Sequence, residues 1–275
     1  MLVKEINQLD LFSGIGGFHL GFERAGYKVN SYFSEVDKHA VAVYKHQFKD
    51  STYVGSVTDV RGADLPRIDL ITFGSPCQDF SLAGKRKGMG GERSSLITEA
   101  IRLVHECRPR VFIWENVKGT FSSNDGADFW AIIQAFANIG GYRCEWQLLN
   151  TSWFLPQRRE RVYLVGYIGE PRDDWRGVFP LGECYGKNHT QARSESDTAY
   201  TITRRYWGAK SQGTYIGAGD KIRAMTELEC ERLQGFPDNW TDCITRPHRY
   251  EALGNAVTVD VVQAIANKLH PLFEE

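Results

Sequence analysis

A mostly parallel α/β sheet, covered by helices on both faces and carrying a smaller loop-rich module late in the chain, is the architecture the sequence predicts. Three observations predict it. Short apolar runs alternate with helical periodicity over residues 1–169, a glycine-rich turn joins the first run to the first helix, and residues 170–222 lose the alternation and fill with Gly, Pro, Asp and Ser. Strands separated by helices of roughly ten or more residues require crossover connections, which generate parallel pairing and bury the sheet on both sides. Right-handed crossovers then set the carboxyl ends of these strands along one edge, where such sheets hold ligands.

The elements follow in order. Leu9 to Phe12 reads as a strand running into Ser13-Gly14-Ile15-Gly16-Gly17, and Phe18 to Ala25 as the first helix. Tyr27 to Phe33 is the next strand, Lys38 to Phe48 the next helix, Leu70 to Phe73 a strand and Ser95 to Cys107 a helix. Val111 to Trp114 is strongly strand-like, Ala127 to Ile139 has helical spacing, and Arg161 to Tyr167 is again a strand. Within the insertion, Ala199 to Thr203 and Thr214 to Ile216 are short strand candidates. Helical periodicity returns at Thr226-Glu227-Leu228-Glu229, a capping-box sequence, and Thr258 to Leu269 is a helix expected to rejoin the large domain.

At 275 residues the chain is long enough for one large α/β domain bearing a smaller module. Its 42% hydrophobic and 24% charged residues are ordinary for a soluble globular protein. The start, MLVKEINQLDLF, has no apolar signal core and no segment approaches a membrane span, so a cytoplasmic protein without membrane association is expected. Formal net charge is −1, so any nucleic-acid footprint must be a local patch rather than a whole-chain basic excess. Cysteines at 77, 107, 144, 184, 230 and 243 include no close pair at metal-site spacing, which argues against both a disulfide scaffold and a metal site.

Two clusters carry candidate chemistry. Gly14, Gly16 and Gly17 stand between a strand and a helix, where glycines serve either close approach of a ligand or plain packing. Glu35 and Asp37 lie about twenty residues on, the position from which a carboxylate accepts ribose hydroxyls. Phe12 is placed to pack beside an adenine ring, and Asp59 is either an acceptor for an adenine amino group or a solvated loop aspartate. The run is Gly14-x-Gly16-Gly17 rather than a spaced G-x-G-x-x-G, which favours a ribose-and-adenine site over a pyrophosphate seat. The second cluster begins at Phe73-Gly74-Ser75-Pro76-Cys77-Gln78-Asp79-Phe80-Ser81, which puts Cys77 just past a strand. Alone, a strand-edge cysteine is usually inert, and its reactivity depends on local charge and exposure. Glu115-Asn116-Val117 after one strand and Gln157-Arg158-Arg159-Glu160-Arg161 before another bring a carboxylate and guanidinium groups towards the same edge.

Six ordered segments resemble the motifs of the DNA cytosine-C5 methyltransferase family of bacterial and bacteriophage type. They are Asp10-Leu11-Phe12-Ser13-Gly14-Ile15-Gly16-Gly17-Phe18, Ser75-Pro76-Cys77-Gln78-Asp79-Phe80-Ser81, Glu115-Asn116-Val117, Gln157-Arg158-Arg159-Glu160-Arg161, Arg232-Leu233-Gln234-Gly235-Phe236-Pro237 and Gly254-Asn255-Ala256-Val257. The resemblance covers nearly all of the chain outside about 170–222. Ser75 stands where the family commonly has a proline, and Asp79 where a small residue is common.

The resemblance implies a Rossmann-like S-adenosylmethionine-dependent methyltransferase sheet with a second, smaller target-recognition domain. It divides the chain into a cofactor-binding and catalytic domain over 1–169, a recognition domain over 170–222, and a hinge and return over 223–275. It implies S-adenosyl-L-methionine as cofactor with no metal, held by Phe12, Gly14, Gly16, Gly17, Glu35 and Asp59, with Asn255 and Val257 closing the site. Cys77 matches the nucleophile, Glu115 the carboxylate facing the base, and Arg159 and Arg161 the arginines of the active site. The implied partner is double-stranded DNA, bound by a monomer, with a cognate restriction endonuclease in the same system and no direct contact. DNA contacts are expected from Gln78, Ser81, Lys85, Arg86, Lys87 and Arg93 after the nucleophile. Arg204 and Arg205 are expected to add to them from the basic, aromatic-laced segment Thr198 to Arg223. A nicotinamide-dependent oxidoreductase would share the glycine turn but gives Cys77, Glu115 and Arg161 no role. A non-catalytic DNA-binding protein would be expected to lack one of them, and RNA is the alternative substrate for the same chemistry.

Overall fold

The computed structural model describes residues 4–74, 96–169, 174–182, 198–204, 206, 214–218 and 221–274. The elements in chain order are β1 (Lys4–Leu11), α1 (Gly17–Arg24), β2 (Tyr27–Ser34), α2 (Lys38–Gln47), β3 (Thr52–Tyr53), β4 (Leu70–Gly74), α3 (Leu96–Cys107), β5 (Val111–Val117), α4 (Ala127–Asn138), β6 (Arg143–Asn150), β7 (Glu160–Tyr167), β8 (Tyr215–Ala218), β9 (Lys221–Ala224), α5 (Glu227–Leu233), α6 (Arg246–Asn255) and α7 (Val259–Leu269). Seven strands form one sheet in the order β3-β2-β1-β4-β5-β7-β6. The central strands are buried on both faces: Leu9, Leu11, Ile71, Phe73, Phe112 and Trp114 face α3 and α4, while Ile6, Leu70, Val111 and Ile113 face α1 and α7. That two-sided burial produces the continuous apolar runs seen in the sequence. Helix α1 lies so close to α7 that a Cβ on Gly21 would fall 2.4 Å from Val262 Cγ1.

The expected strand alternation is found, with three corrections. β7 pairs antiparallel with both β5 and β6, so not every strand runs the same way. A dinucleotide-binding sheet ordered 3-2-1-4-5-6 is parallel throughout; here a reversed strand lies between the fifth and sixth. The sequence reading also passed over β6, whose residues Arg143-Cys144-Glu145-Trp146-Gln147 lack a clean polar–apolar alternation because it is a half-exposed edge. Ala199 to Thr203 is not a strand: a single parallel bridge joins Ala199 to Gln157. Tyr215 to Ala218 does pair, forming an antiparallel ladder with β9.

Helix α6 was also unread, since Pro247 and its polar neighbours give no apolar stripe. It belongs to a third core in which Ile202, Tyr206, Met225, Cys230, Tyr250 and Leu253 meet Val43, Tyr44 and Phe48. That core seats residues from the smaller part of the chain on the α2 side of the large sheet. On the far side, residues 178–181 run beside β6 without joining its ladder. Glu145 accepts from the N–H groups of Val178 and Phe179 at 3.1 and 3.2 Å, and Gln147 both accepts from Leu181 N and donates to its carbonyl.

The capping box is present: Thr226 Oγ1 accepts from Glu229 N, and Glu229 Oε2 accepts from Thr226 N at 2.7 Å. Arg223 grips the same carboxylate with both terminal nitrogens at 2.8 Å, and these bonds hold the Glu229 carboxyl down at about 2. Thr226→Ala is expected to cost about 1 kcal/mol of stability at neutral pH, read by urea unfolding. Because the folded pKa lies below the ordinary value of 4.5, the contribution of Glu229 is complete above about pH 4.5 and is lost as pH falls towards about 2. The gap in unfolding midpoint between the wild type and Glu229→Gln should therefore close over that window; a gap that widens on acidification refutes the assignment.

Candidate active site

The chain runs outward from β1 to β2 and β3, then returns to place β4 on the other side of β1. Connections leaving β1 and β4 therefore diverge, opening a crevice at their carboxyl ends. A cavity of about 480 Å³ occupies this position, with Phe12, Gly14, Glu35, Gly74, Glu115, Arg159, Arg161, Arg204 and Asn255 in its wall.

One half is built by the turn after β1. Phe12 and Gly14 take φ of +52° and +55°, which folds the backbone sharply and leaves open space where a Cβ on Gly14 would stand. Glu35 Oε2 accepts from Gly14 N at 2.9 Å, while Oε1 accepts from Val36 N at 2.8 Å and Asp37 N at 2.9 Å. The carboxylate is thus fixed beside the turn before any ligand arrives, an arrangement suited to a pair of hydroxyl donors. Asp37 has a different task, capping α2 by accepting from His39 N at 2.8 Å. Gly16 and Gly17 are closely packed: a Cβ on Gly16 would lie 2.3 Å from the Phe48 ring, and one on Gly17 2.6 Å from Val257 Cγ2.

Asp59 is exposed and takes a hydrogen bond from Thr58, and its neighbours Ser56 and Val57 line the cavity in the place where it was expected. Val36, unremarked in the sequence, is 78% exposed and also lines the cavity. Beneath the turn, buried Asp10 accepts from Thr72 Oγ1 at 2.7 Å, and burial pushes its carboxyl well above the usual range. Gln8 extends this bond to Thr72 from the same strand, tying β1 to β4 through their interior.

The other half depends on the reversal of β7. Its register sets Val117 opposite Arg161, so the amino end of β7 lies at the carboxyl end of β5. Arg161 Nε lies 3.0 Å from Glu115 Oε1, both largely buried. A Cβ on Gly74 would stand 3.0 Å from Glu115 Oε2, so β4 passes close against this carboxylate and a side chain there would press on it. One oxygen of Glu115 is thereby anchored on Arg161 while the other faces the end of β4, three residues before Cys77 in sequence.

Arg159 is turned elsewhere. It is 2% exposed and donates to three carbonyls: Ile202 at 3.1 Å, Gly254 at 3.3 Å and Ala256 at 2.8 Å. It braces the walls of the cavity. Arg204 reaches the cavity and pairs with Glu251 at 2.5 Å. A second hub was missed: Gln157 donates to Leu233 O and accepts from Ile202 N, while Gln234 donates to Leu253 O and accepts from Thr258 Oγ1. Both glutamines lie in segments already singled out, and that placement was the only sequence signal. Cys77, Gln78, Ser81, Lys85, Arg86, Lys87, Arg93 and Arg205 lie outside the described residues. Burial pushes the thiols of Cys107 and Cys144 up to about 11 and that of Cys230 to about 12, so these three are inert at neutral pH. Among the described residues no cluster fit for a metal ion is found, and no helix is long and apolar enough to cross a membrane.

The family model for C-5 cytosine-specific DNA methylases matches residues 6–175 and 172–270. The Type II methyltransferase M.NlaX of Neisseria lactamica is 33% identical, with 95% of each chain covered. M.NgoBI of Neisseria gonorrhoeae is 32% identical over 93% of this chain and 90% of its own. Among solved structures, the S. pombe Dnmt2 methyltransferase superposes with a TM-score of 0.75 at 20% identity, covering 98% of this chain and 99% of that one. A putative DNA modification methyltransferase encoded within an E. coli prophage gives 0.66 at 21%, covering 98% and 100%; at these identities the structures attest the fold. A family match over nearly the whole length, joined to relatives above 30% identity at nearly full coverage of both chains, means that this chain belongs to the C-5 cytosine-specific DNA methylases, which are S-adenosylmethionine-dependent enzymes.

Proposed function

We propose that this enzyme methylates carbon 5 of a cytosine flipped out of a short, specific duplex sequence, with Cys77 as covalent nucleophile. The observation that carries the reading is the Arg161–Glu115 pair, held at 3.0 Å against the end of β4. It is a carboxylate with one anchored oxygen and one oxygen facing the cavity, which suits recognition of a ring nitrogen and its neighbouring amine.

Carbon 5 of cytosine is too weak a nucleophile to be alkylated directly. Attack of the Cys77 thiolate on carbon 6 forms a C–S bond and pushes electron density onto carbon 5 and N3. Glu115 holds or protonates N3 and accepts from the exocyclic amine, and Arg161, close beside it, donates to the O2 oxygen. S-adenosylmethionine, when bound, supplies an electrophilic methyl group for carbon 5. A base then takes the carbon-5 proton, the C–H electron pair re-forms the C5–C6 double bond, the C–S bond breaks and Cys77 leaves as a thiolate. The cavity fits this cofactor. Glu35 is presented as an acceptor by three backbone donors, Gly14 adds no side chain, and Phe12 and the bare Val36 offer apolar surface for an adenine. Flipping costs a few kcal/mol, offset by contacts to the extruded base and to the backbone. The basic loop carrying Lys85, Arg86, Lys87 and Arg93, together with Gln78 and Ser81, is suited to phosphate contact and closure by its position after Cys77. Arg204 and Arg205 add to the DNA-facing charge. The Type II methyltransferases among its relatives support a role in restriction–modification, and service to a bacteriophage is the second reading the chain fits.

Four outcomes test the reading. Duplex DNA carrying 5-fluorocytosine at the target should trap the enzyme as an adduct on denaturing gels only with S-adenosylmethionine present. Cys77→Ser should abolish adduct and turnover while still binding DNA; an adduct mapped by mass spectrometry to another residue overturns the mechanism. Glu115→Gln should keep the thiol but lose roughly 10²-fold in rate, and near-normal turnover would remove its role. Glu35→Ala should weaken cofactor binding in calorimetric titration more than it weakens DNA binding, and an unchanged cofactor affinity would remove that assignment.

A further inference from the structure

Among the described residues, three arginines line the catalytic cavity: Arg159, Arg161 and Arg204. Arg159 is bound to carbonyls and Arg161 to Glu115, both out of water, whereas the side chain of Arg204 is 68% exposed. The backbone at Arg204 is nevertheless fixed. A Cβ on Gly254 would lie 2.3 Å from the Thr203 carbonyl carbon and from Arg204 N, so this segment is pressed directly on α6.

The same helix holds the side chain. Glu251 stands three residues before Gly254, on the same face of α6. Its Oε1 accepts from Arg204 Nε at 2.5 Å. The anchoring carboxylate is steadied in turn. His248 Nδ1 lies 3.7 Å from its other oxygen, and the His248 ring stacks on that of His39 from α2, with centroids 3.5 Å apart and planes 16° from parallel. An arginine gripped at Nε keeps the use of both terminal nitrogens, and among the described residues those of Arg204 make no hydrogen bond. Two parallel N–H donors on a rigid plane match two oxygens of a phosphate.

We propose that Glu251 is a positioning residue, holding Arg204 at the mouth of the cavity to receive a phosphate of the strand that delivers the flipped cytosine. The inference rests on the reading of the chain as a duplex DNA cytosine methyltransferase and adds to it the residue that aims this contact. Exposure decides the occupant. A strand that turns one base into a pocket keeps its phosphates outside, at the rim, where a largely solvated guanidinium meets them. Pre-organisation decides the role of the carboxylate. A long side chain already held in one geometry gives up less freedom on binding, which offsets the charge that Glu251 brings.

The test reads equilibrium binding of a fluorescent DNA duplex across a salt series, beside methyl incorporation into the same duplex. Duplex binding without methylation by the unaltered enzyme would refute the underlying function and still leave the salt slope to judge the pair. Arg204→Gln should weaken DNA binding about tenfold and reduce the slope of log K against log salt by about one. Glu251→Ala should reproduce most of that loss although it removes a negative charge, the opposite of what charge alone predicts. Glu251→Gln keeps an oxygen for Arg204 Nε and should bind within about twofold of the wild type. The double variant Arg204→Gln/Glu251→Ala should be no weaker than Arg204→Gln alone, because both changes remove one contact. S-adenosylmethionine affinity should hold in all four. Tighter or unchanged DNA binding by Glu251→Ala, losses that add in the double variant, or a fall in S-adenosylmethionine affinity, which would place Arg204 on the cofactor, would each overturn the proposal.

Discussion

A guanidinium taken almost wholly out of water must be surrounded by acceptors, and the way Arg159 meets that requirement organises the site. Backbone carbonyls supply the acceptors, and they come from three places: Ile202 in the smaller part of the chain, Gly254 at the end of α6, and Ala256 just beyond it. The end of a helix carries partial negative charge, which makes Gly254 a favourable partner for a cation. Without the guanidinium those carbonyls would be buried around a void, at a cost of roughly 1–3 kcal/mol for each one left unsatisfied. Arg159 therefore fixes how the last third of the chain closes over the sheet. Close contact finishes the fit: a Cβ on Gly254 would lie 2.3 Å from the backbone of Thr203 and Arg204, so the two segments touch directly.

The direction of β7 is the companion constraint. Had the strand run parallel to β5, its arginines would emerge at the opposite edge of the sheet from Glu115. Reversal brings Arg161 to Glu115, and strand alternation then sends Arg159 inward to its carbonyls and Arg158 with Glu160 to the opposite side. One extended segment of four residues thus reaches Glu115, the carbonyls that close the chain and the outer face.

Much of this was legible in the sequence, and the failures have physical causes. The glycine turn, Glu35, Glu115 and the Thr226 cap are each carried by residue type and spacing, and each stands where that pattern puts it. Arg161 was expected at the right edge from a sheet taken to be mostly parallel, because strand direction leaves no mark in a run such as Val162-Tyr163-Leu164-Val165. Arg159 was read as an active-site arginine that orients nearby backbone or a carboxylate; which carbonyls it holds was not legible, because main-chain acceptors have no residue signature. Asp59 was singled out for its carboxylate, whereas Ser56 and Val57, which line the cavity, carry no mark that a sequence shows. Gly16 and Gly17 were open to two readings, ligand approach and packing, and the neighbours Phe48 and Val257 that crowd them come from distant segments that no local pattern reveals.

The treatment of the sheet margins bears on how the protein behaves in concentrated solution. An open strand edge invites pairing with another chain and, from there, precipitation. On one side the sheet ends in β3, only two residues long. On the other it ends in β6, eight residues long, alongside which residues 178–181 are fastened by the side chains of Glu145 and Gln147. Those bonds, with Val178 and Leu181 in the core beside Leu149, lay residues 178–181 over one face of the strand. The last strand is thereby weighted on one face by its own acidic and amide side chains, which adds bulk beside the margin where an incoming chain would have to pair.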